Sequence, residues 1–132
     1  MGGLTPEQIR AAKVLLWKGH CSVHQMFQPQ HILKFRNQHP DGFVISHPEC
    51  KFEVCKLSDY VGSTDHIIKT IAAAPANSRW LVGTELNLVN RIAEELKPQG
   101  KQIQFMSPGV CMCSTLARID PHPPARTLEN RV

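Results

Sequence analysis

Short apolar runs that alternate with longer amphipathic segments constrain the fold of this chain more than any other feature. The runs are rich in β-branched and aromatic residues, which is typical of buried strands. We assign them to residues 14–17, 43–45, 60–61, 80–82 and 103–106. The connections are short, and strands that alternate with helices form βαβ units. The sequence therefore predicts an α/β fold, with a parallel sheet of four or five strands and flanking helices.

Four helices are predicted between these strands, over residues 30–38, 52–57, 64–74 and 87–96. In the first helix we expect Ile32, Leu33 and Phe35 to face the core. Ser63 or Thr64 suits the N-cap of the third, because a hydroxyl can accept a hydrogen bond from a free backbone N–H. The fourth ends before the Pro-Gln-Gly turn at residues 98–100.

Composition limits the classes of protein to which the chain can belong. Its 132 residues are 42% hydrophobic and 20% charged, as expected for one globular domain. The net charge of +4 is spread along the chain without interleaved aromatics, which argues against a nucleic-acid surface. No apolar run is long enough to span a membrane, and no signal peptide opens the sequence. Five cysteines without such a signal favour the reducing cytoplasm.

Polar and nucleophilic side chains follow the predicted strands at the points where they end. The densest group is the His-Pro-Glu-Cys sequence at residues 47–50. Because the carboxyl ends of parallel strands meet at one edge of a sheet, such groups are expected to line one crevice. They are Cys21, His24, His47, Glu49, Ser63, Thr64, Thr84, Glu85 and Cys113.

Several of these residues also have purely structural interpretations. Ser63 and Thr64 are helix caps first, although the N–H groups beside them would suit a carboxylate or phosphate. Cys55 fits a small buried hydrophobe, and a metal clamp formed with Cys50 is the less favoured alternative. Cys111 and Cys113 have one residue between them, a spacing that is unfavourable for two ligands of the same tetrahedral metal ion. We therefore expect at most one of them to bind metal.

Four motifs carry a resemblance to quinolinate synthase, in the order and near the spacing of that family. They are the sequences at residues 17–24 (WKGHCSVH), 46–50 (SHPEC), 59–64 (DYVGST) and 83–87 (GTELN). The resemblance extends from Val14 to about Asp120. Several long motifs in order are far more specific than one short pattern.

The resemblance implies a reaction and an architecture. Quinolinate synthases condense iminoaspartate with dihydroxyacetone phosphate to give quinolinate in NAD biosynthesis, downstream of L-aspartate oxidase. Three α/β/α domains surround a pseudo-threefold axis, and each gives one cysteine to a [4Fe–4S] cluster that acts as a Lewis acid. Residues 1–30 would then be the end of the second domain and residues 31–120 the third. Residues 121–132 are an unassigned tail.

The resemblance also implies roles for individual residues. Cys21 and Cys113 match cluster ligands, and the third cysteine has no counterpart in this chain. The substrate-binding residues would be His24, His47, Pro48, Glu49, Ser63 and Thr64. Glu49 is our choice for the general acid or base, with His47 as its partner or as a carboxylate clamp. Cys50 matches no ligand.

The family's first domain and most of its second have no counterpart in this sequence. We therefore expect a fragment or a truncated gene product that is inactive alone. Two alternatives stay open. One is a non-catalytic remnant or a small metal-binding α/β domain, and the other is a two-chain enzyme in which a separate chain supplies the missing N-terminal domains.

Overall fold

The computed structural model describes residues 4–15 and 19–107 and contains one four-stranded parallel sheet flanked by helices. The strands are β1 (Phe43–Ser46), β2 (Tyr60–Val61), β3 (Arg79–Gly83) and β4 (Gln102–Phe105). The helices are α1 (Pro6–Ala11), α2 (Ser22–Met26), α3 (Pro29–Gln38), α4 (Phe52–Leu57), α5 (Thr64–Ala73) and α6 (Leu86–Leu96), with a 3₁₀ turn at Lys97–Gln99. The predicted α/β class is confirmed, as are the four helices and four of the five strands. The predicted domain division at residue 30 stays a prediction.

The order of the strands in the sheet is β2-β1-β3-β4. From β1 the chain moves outward to β2, and then returns past β1 to β3 and β4. The direction of progress therefore reverses between β1 and β3, whose residues Phe43–Ser46 pair with Trp80–Gly83. In open parallel sheets the crevice outside the carboxyl ends of two such strands is where ligands bind.

The two faces of the sheet bury separate hydrophobic clusters, because successive residues of a strand point to opposite faces. Val44 and Leu81 belong to the first cluster, with side chains from α2, α3 and α4. Ile45, Trp80 and Val82 belong to the second, with side chains from α5 and α6. The domain is therefore a three-layer α/β/α sandwich that holds its central strands fixed on both sides.

Two details of the sequence interpretation are wrong. Val14 and Leu15, assigned to a first strand, lie outside every strand and are 72% and 55% exposed; residues 16 and 17 lie outside the described residues. A short apolar run becomes a strand only where a neighbouring strand can pair with it, and none of the four described strands pairs with residues 14–15. Leu33, expected on the inner face of α3, is 52% exposed, since only the Ile32 and Phe35 face meets the sheet.

Candidate functional site

Backbone hydrogen bonds continue past the ends of the strands and hold the following loops at one edge. The His47 N–H donates to the Gly83 carbonyl at 2.9 Å, and the Gly62 N–H donates to the Ser46 carbonyl at 3.1 Å. The loops after β1, β2 and β3 therefore begin side by side at the carboxyl edge of the sheet, as the sequence predicted.

A cavity of about 350 Å³ opens at this edge, beside the reversal point between β1 and β3. Its lining combines the residues after three strands with the start of α2 and of α6. The lining residues are Cys21, Val23, His24, His47, Glu49, Thr64, Thr84, Glu85 and Leu88. Most of the candidate residues that precede position 100 in the sequence are thus brought together. Cys113, the second predicted cluster ligand, and Cys111 lie outside the described residues.

Two predicted binding residues, Pro48 and Ser63, are not among those that line the cavity. Pro48 is exposed in the turn after β1. The Ser63 Oγ caps α5 by accepting a hydrogen bond from the His66 N–H at 3.4 Å. Its neighbour Thr64, the first residue of α5, does reach the cavity wall.

The turn after β1 fixes the orientation of its histidine. The Glu49 N–H donates to His47 Nδ1 at 3.3 Å, and the Cys50 N–H donates to the His47 carbonyl at 3.0 Å. Because Nδ1 accepts a hydrogen bond, the neutral imidazole of His47 carries its proton on Nε2. Backbone contacts within the motif therefore select a tautomer with an Nε2–H donor.

The short helix α2 presents Cys21 and His24 to the same cavity. Cys21 is the N-cap residue, and its Sγ makes no hydrogen bond to the described part of the chain. His24 follows three residues later, a separation that places two side chains on one face of a helix. Its ring stacks on that of His47, with centroids 4.7 Å apart and planes inclined by 20°.

His24, His47 and Glu49 form a compact group of three ionisable side chains. His24 Nδ1 lies 3.2 Å from Glu49 Oε2, and His47 Nδ1 lies 3.8 Å from the same oxygen. Burial, together with the charge of the stacked His47, lowers the pKa of His24, whereas the Glu49 carboxylate acts in the opposite sense. His24 is therefore held mainly in its neutral form, in which one ring nitrogen is an acceptor or ligand.

Neither ring nitrogen of His24 has a hydrogen-bond partner within the described residues. Its closest polar neighbour is Glu49, whose Oε2 lies 3.2 Å from Nδ1 and raises the pKa of His24 against the larger lowering by burial. The side chain of His24 is only 9% exposed, whereas that of Glu49 is 59% exposed. A buried imidazole nitrogen is satisfied by a hydrogen bond from the protein, from water or from a ligand in the cavity.

The two cysteines of the neighbouring loop and helix point elsewhere. Cys50 is buried, and its thiol donates to the Gly83 carbonyl at 3.4 Å. Burial raises the pKa of Cys50 to about 12, so it stays a thiol at neutral pH. The thiol of Cys55 lies against the carbonyls of His47 and Cys50, at 3.6 and 3.7 Å. These contacts favour the structural interpretation of both residues over a metal clamp.

Thr84 and Glu85 were expected at this edge but were given no role from the sequence. Thr84 is buried, and Glu85 is the N-cap of α6, where its Oε2 accepts a hydrogen bond from the Leu88 N–H at 3.0 Å. Their place directly after β3, at the reversal point of the sheet, was the signal that could have identified them as lining residues. Leu88, one turn along α6, gave no such signal.

Three potential metal ligands lie close together in the cavity. One ligand atom each from Cys21, His24 and Glu49 lie within 4.8 Å of one another. Thiolate, imidazole and carboxylate are a donor set suited to zinc or iron.

Comparisons with known proteins agree with the motifs. The family model described as "Quinolinate synthetase A protein" matches residues 1–132. The chain is 52% identical over 130 residues to "Quinolinate synthase" of Rhodopirellula baltica, covering 98% of the chain and 33% of the relative. It is 55% identical over 131 residues to "Quinolinate synthase" of Herpetosiphon aurantiacus, covering 99% of the chain and 34% of the relative. The chain thus spans about a third of the length of these curated relatives.

Among the described residues, no helix combines the length and the apolar character needed to cross a bilayer.

Proposed function

Because the chain belongs to the quinolinate synthase family, we propose that it forms one wall of an active site that condenses iminoaspartate with dihydroxyacetone phosphate. The observation that supports this proposal is the cavity at the reversal point of the sheet. It brings together side chains from four separate motifs: His24, His47 and Glu49, Thr64, and Glu85. A substrate with two carboxylates and one with a phosphate need hydrogen-bond donors and a proton carrier in one place, and this cavity supplies both.

A [4Fe–4S] cluster is the cofactor we propose, with Cys21 and Cys113 as ligands and a third cysteine from outside this sequence. The Cys21 Sγ fits this part, because it lines the cavity, is half-buried and forms no hydrogen bond with the described part of the chain. When bound, a cluster with three thiolate ligands supplies a Lewis-acidic iron. Cys113 lies outside the described residues, so its part in the proposal depends on the resemblance alone.

Proton transfer is the role we propose for Glu49. Its carboxylate is the most exposed of the three ionisable side chains, and it lies beside the two stacked histidines. A carboxylate and an imidazole in contact are groups that can act as general base and general acid while substrate bonds form and break. We propose that the Nε2–H of His47 donates a hydrogen bond to a substrate carboxylate or carbonyl oxygen.

Substrate anions are the partners we propose for His24 and for the start of α5. The N-terminal N–H groups of a helix favour negative charge, and Ser63 and Thr64 lie at that point. The start of α6 differs, because the Glu85 carboxylate already occupies it. Anionic groups of a substrate are therefore favoured at α5 and disfavoured at α6.

The second candidate function is that of a metal-binding α/β domain without catalysis of its own. The group of one thiol, one imidazole and one carboxylate in the cavity favours it. For the synthase we propose that the family's N-terminal domains complete the site and that an L-aspartate oxidase supplies iminoaspartate. For both candidates we propose a cytoplasmic location.

The test is reconstitution with the missing part. The chain is fused behind the N-terminal two-thirds of the Rhodopirellula baltica relative, and quinolinate formation is measured anaerobically. We expect activity in the fusion protein, a loss of about 10²- to 10⁴-fold in Glu49→Gln, and an unchanged iron content. Glu53→Gln, an exposed carboxylate on α4, is the matched control and should keep full activity. An inactive fusion protein that holds a complete cluster would favour the metal-binding candidate.

A further inference from the structure

The turn after β1 carries His47 and Glu49, and its backbone decides where their side chains point. The Glu49 side chain is 59% exposed, so packing restrains its carboxylate little. The direction of the carboxylate therefore depends on the backbone of residues 47–50. A displacement of about 1 Å in a catalytic group can lower a rate by about 10²-fold. The contacts that hold this backbone are therefore relevant to the proposed reaction.

Two thiols that do not line the cavity donate hydrogen bonds around this turn. The Cys50 thiol donates to the Gly83 carbonyl at 3.4 Å, and the same carbonyl accepts from the His47 N–H at 2.9 Å. One carbonyl group of β3 thus receives both the start and the end of the turn. The Cys55 Sγ, on α4, lies 3.6 Å from the His47 carbonyl and 3.7 Å from the Cys50 carbonyl. The turn is therefore connected to β3 through one thiol and to α4 through the other.

A pair of serine hydroxyls holds α4, and with it Cys55, against the end of β1. Ser46 is the last residue of β1 and is fully buried, and its Oγ lies 2.9 Å from Oγ of Ser58, the C-cap of α4. Ser58 can direct its one hydroxyl proton either to Ser46 or to the Val54 carbonyl, which is also 2.9 Å away. In the first arrangement Ser46 donates to the Cys55 Sγ at 3.9 Å, and in the second it donates to Ser58. In both, the proton of the Cys55 thiol stays available to the turn.

The surroundings of both thiols suit hydrogen-bond donors that also pack in a core. Cys50 belongs to the first hydrophobic cluster, and Cys55 packs against it. A thiol fills such a position as a small hydrophobe and still offers one proton, although it is a weak donor. Burial raises the pKa of Cys50 to about 12, so that proton is retained at neutral pH.

We propose that Cys50 and Cys55 are positioning residues, whose thiols hold the backbone of residues 47–50 in the orientation that presents His47 and Glu49 to the cavity. They act through the turn, since neither lines the cavity in which substrate would bind. The inference rests on the proposed function, because the orientation of the turn affects the rate only if Glu49 takes part in the reaction.

Amide hydrogen exchange in the 132-residue chain, followed residue by residue by NMR, tests the contacts without a measurement of activity. The Cys50 N–H donates to the His47 carbonyl, to which the Cys55 thiol also donates. We expect its exchange to quicken by about 2- to 10-fold in Cys55→Ala and to keep the parental rate in Cys55→Ser, which retains a donor. The amide of Leu81, in the centre of the sheet, is the reference for global stability. An unchanged rate in Cys55→Ala would overturn the proposal.

The kinetics of the fusion protein test the consequence for the reaction. Cys50→Ala and Cys55→Ala should each lower kcat by about 10-fold or more without a change in iron content, and serine at the same position should restore it. Val54→Ala is the matched control, because Val54 is fully buried beside Cys55 on α4 and its side chain donates nothing to the turn. It removes more buried volume than Cys55→Ala does, so it should lower the free energy of unfolding but keep the parental kcat.

The outcomes separate this inference from the proposed function. An inactive parent fusion protein would contradict the proposed function and, with it, any role of the two thiols in the reaction. Parental kcat in both alanine variants of an active fusion protein would contradict the positioning role alone. Equal losses in the alanine and serine variants, or an equal loss in Val54→Ala, would also overturn it, because packing would then account for the effect.

Discussion

At the carboxyl edge of the sheet, burial decides which side chains face the cavity and which only stabilise the loop. Cys21 and Cys50 both lie near the cavity, yet one thiol faces it and the other is buried against the Gly83 carbonyl. Burial disfavours a charged thiolate, so the second is held as a neutral donor. The residues that carry chemistry and those that stabilise the loop are therefore separated by where each side chain points.

The difference between the two thiols predicts their reactivity. With a pKa of about 12, Cys50 is ionised in only about one molecule in 10⁴ at pH 8, and its thiol is buried, whereas the Cys21 thiol faces the cavity. Alkylation of the folded, metal-free chain at pH 8 should therefore label Cys21 and spare Cys50. The two lie on separate tryptic peptides, and mass spectrometry of each measures the extent.

Labelling of both cysteines at equal rates in the folded chain would contradict the assignment of Cys50 to the core. Labelling in urea is the control, because unfolding exposes both thiols and should make the two rates similar.

At the scale of helices and strands, the ends of the helices depend on a few specific contacts. Helix α3 begins with Pro29, and His31 Nδ1 accepts a hydrogen bond from the Gln28 N–H at 3.2 Å. Helix α5 ends against Lys101, whose Nζ donates to the carbonyls of Ile71 and Ala72 at 2.8 Å each. Each contact satisfies backbone groups that a helix end leaves without a partner.

The cap of α3 predicts a dependence of stability on pH. Burial, and then the charge of Lys34, lowers the pKa of His31 below its ordinary value of 6.5. Because the folded state holds the neutral form, the unfolded state takes up the proton first, and stability is lost as pH falls below about 6.5. The free energy of unfolding of His31→Gln, which keeps an acceptor but does not titrate, should fall less between pH 7 and pH 5.

Urea denaturation at the two pH values measures the effect. All other titratable groups are common to the two proteins, so the difference between their slopes belongs to His31. Equal slopes would mean that the contact at the start of α3 does not depend on the neutral imidazole.

The buried Lys101 predicts a large effect of a single substitution at the end of α5. Lys101→Met keeps most of the aliphatic chain but removes two charge-assisted hydrogen bonds and leaves two carbonyls without this donor. We expect a loss of about 1–3 kcal/mol in the free energy of unfolding. Lys69→Met, which removes an exposed pair with Asp65, should change it by less than about 0.5 kcal/mol. A smaller effect at Lys101 than at Lys69 would refute the capping role.

At the scale of the whole molecule, one sheet and two hydrophobic clusters place the cavity where four segments meet. The sheet order β2-β1-β3-β4 is all parallel, and the reversal between β1 and β3 leaves their carboxyl ends free. The chain builds this side of the site from its own residues, although it spans about a third of the curated relatives.

The isolated chain is expected not to hold a stable [4Fe–4S] cluster. We propose only Cys21 and Cys113 as cluster ligands, and two thiolates would leave part of a cluster open to water and oxygen. Anaerobic reconstitution, followed by iron counting and absorbance of the thiolate-to-iron band, should give far fewer than four iron atoms per chain. Four stable iron atoms per chain, lost in Cys21→Ser, would show that this expectation is wrong.

Local patterns in the sequence were sufficient for the class of fold and for most of its elements. Strand β1 and helix α6 were predictable because their apolar periodicity, turns and caps all lie within a few residues. The convergence of His47, Glu49, Thr64 and Glu85 also followed, since the ends of parallel strands share an edge. The strand predicted at Val14 and Leu15 was wrong because a strand needs a neighbouring strand to pair with, and no local sequence pattern shows whether one exists.

Tertiary structure alone decided how the side chains of the site relate to one another. The resemblance and the helix pattern had already separated Cys21 from Cys50 and Cys55. Only packing shows that the thiol of Cys21 faces the cavity, while those of the other two donate to backbone carbonyls. His24 stacks on His47 and lies 3.2 Å from the carboxylate of Glu49, and these contacts join segments more than 20 residues apart in the sequence. The sequence determines which side chains lie at the carboxyl edge of the sheet, because periodicity, turns and caps act within a single helix or strand. Distances and burial depend on how α2 packs against the turn after β1, which is set by the whole core.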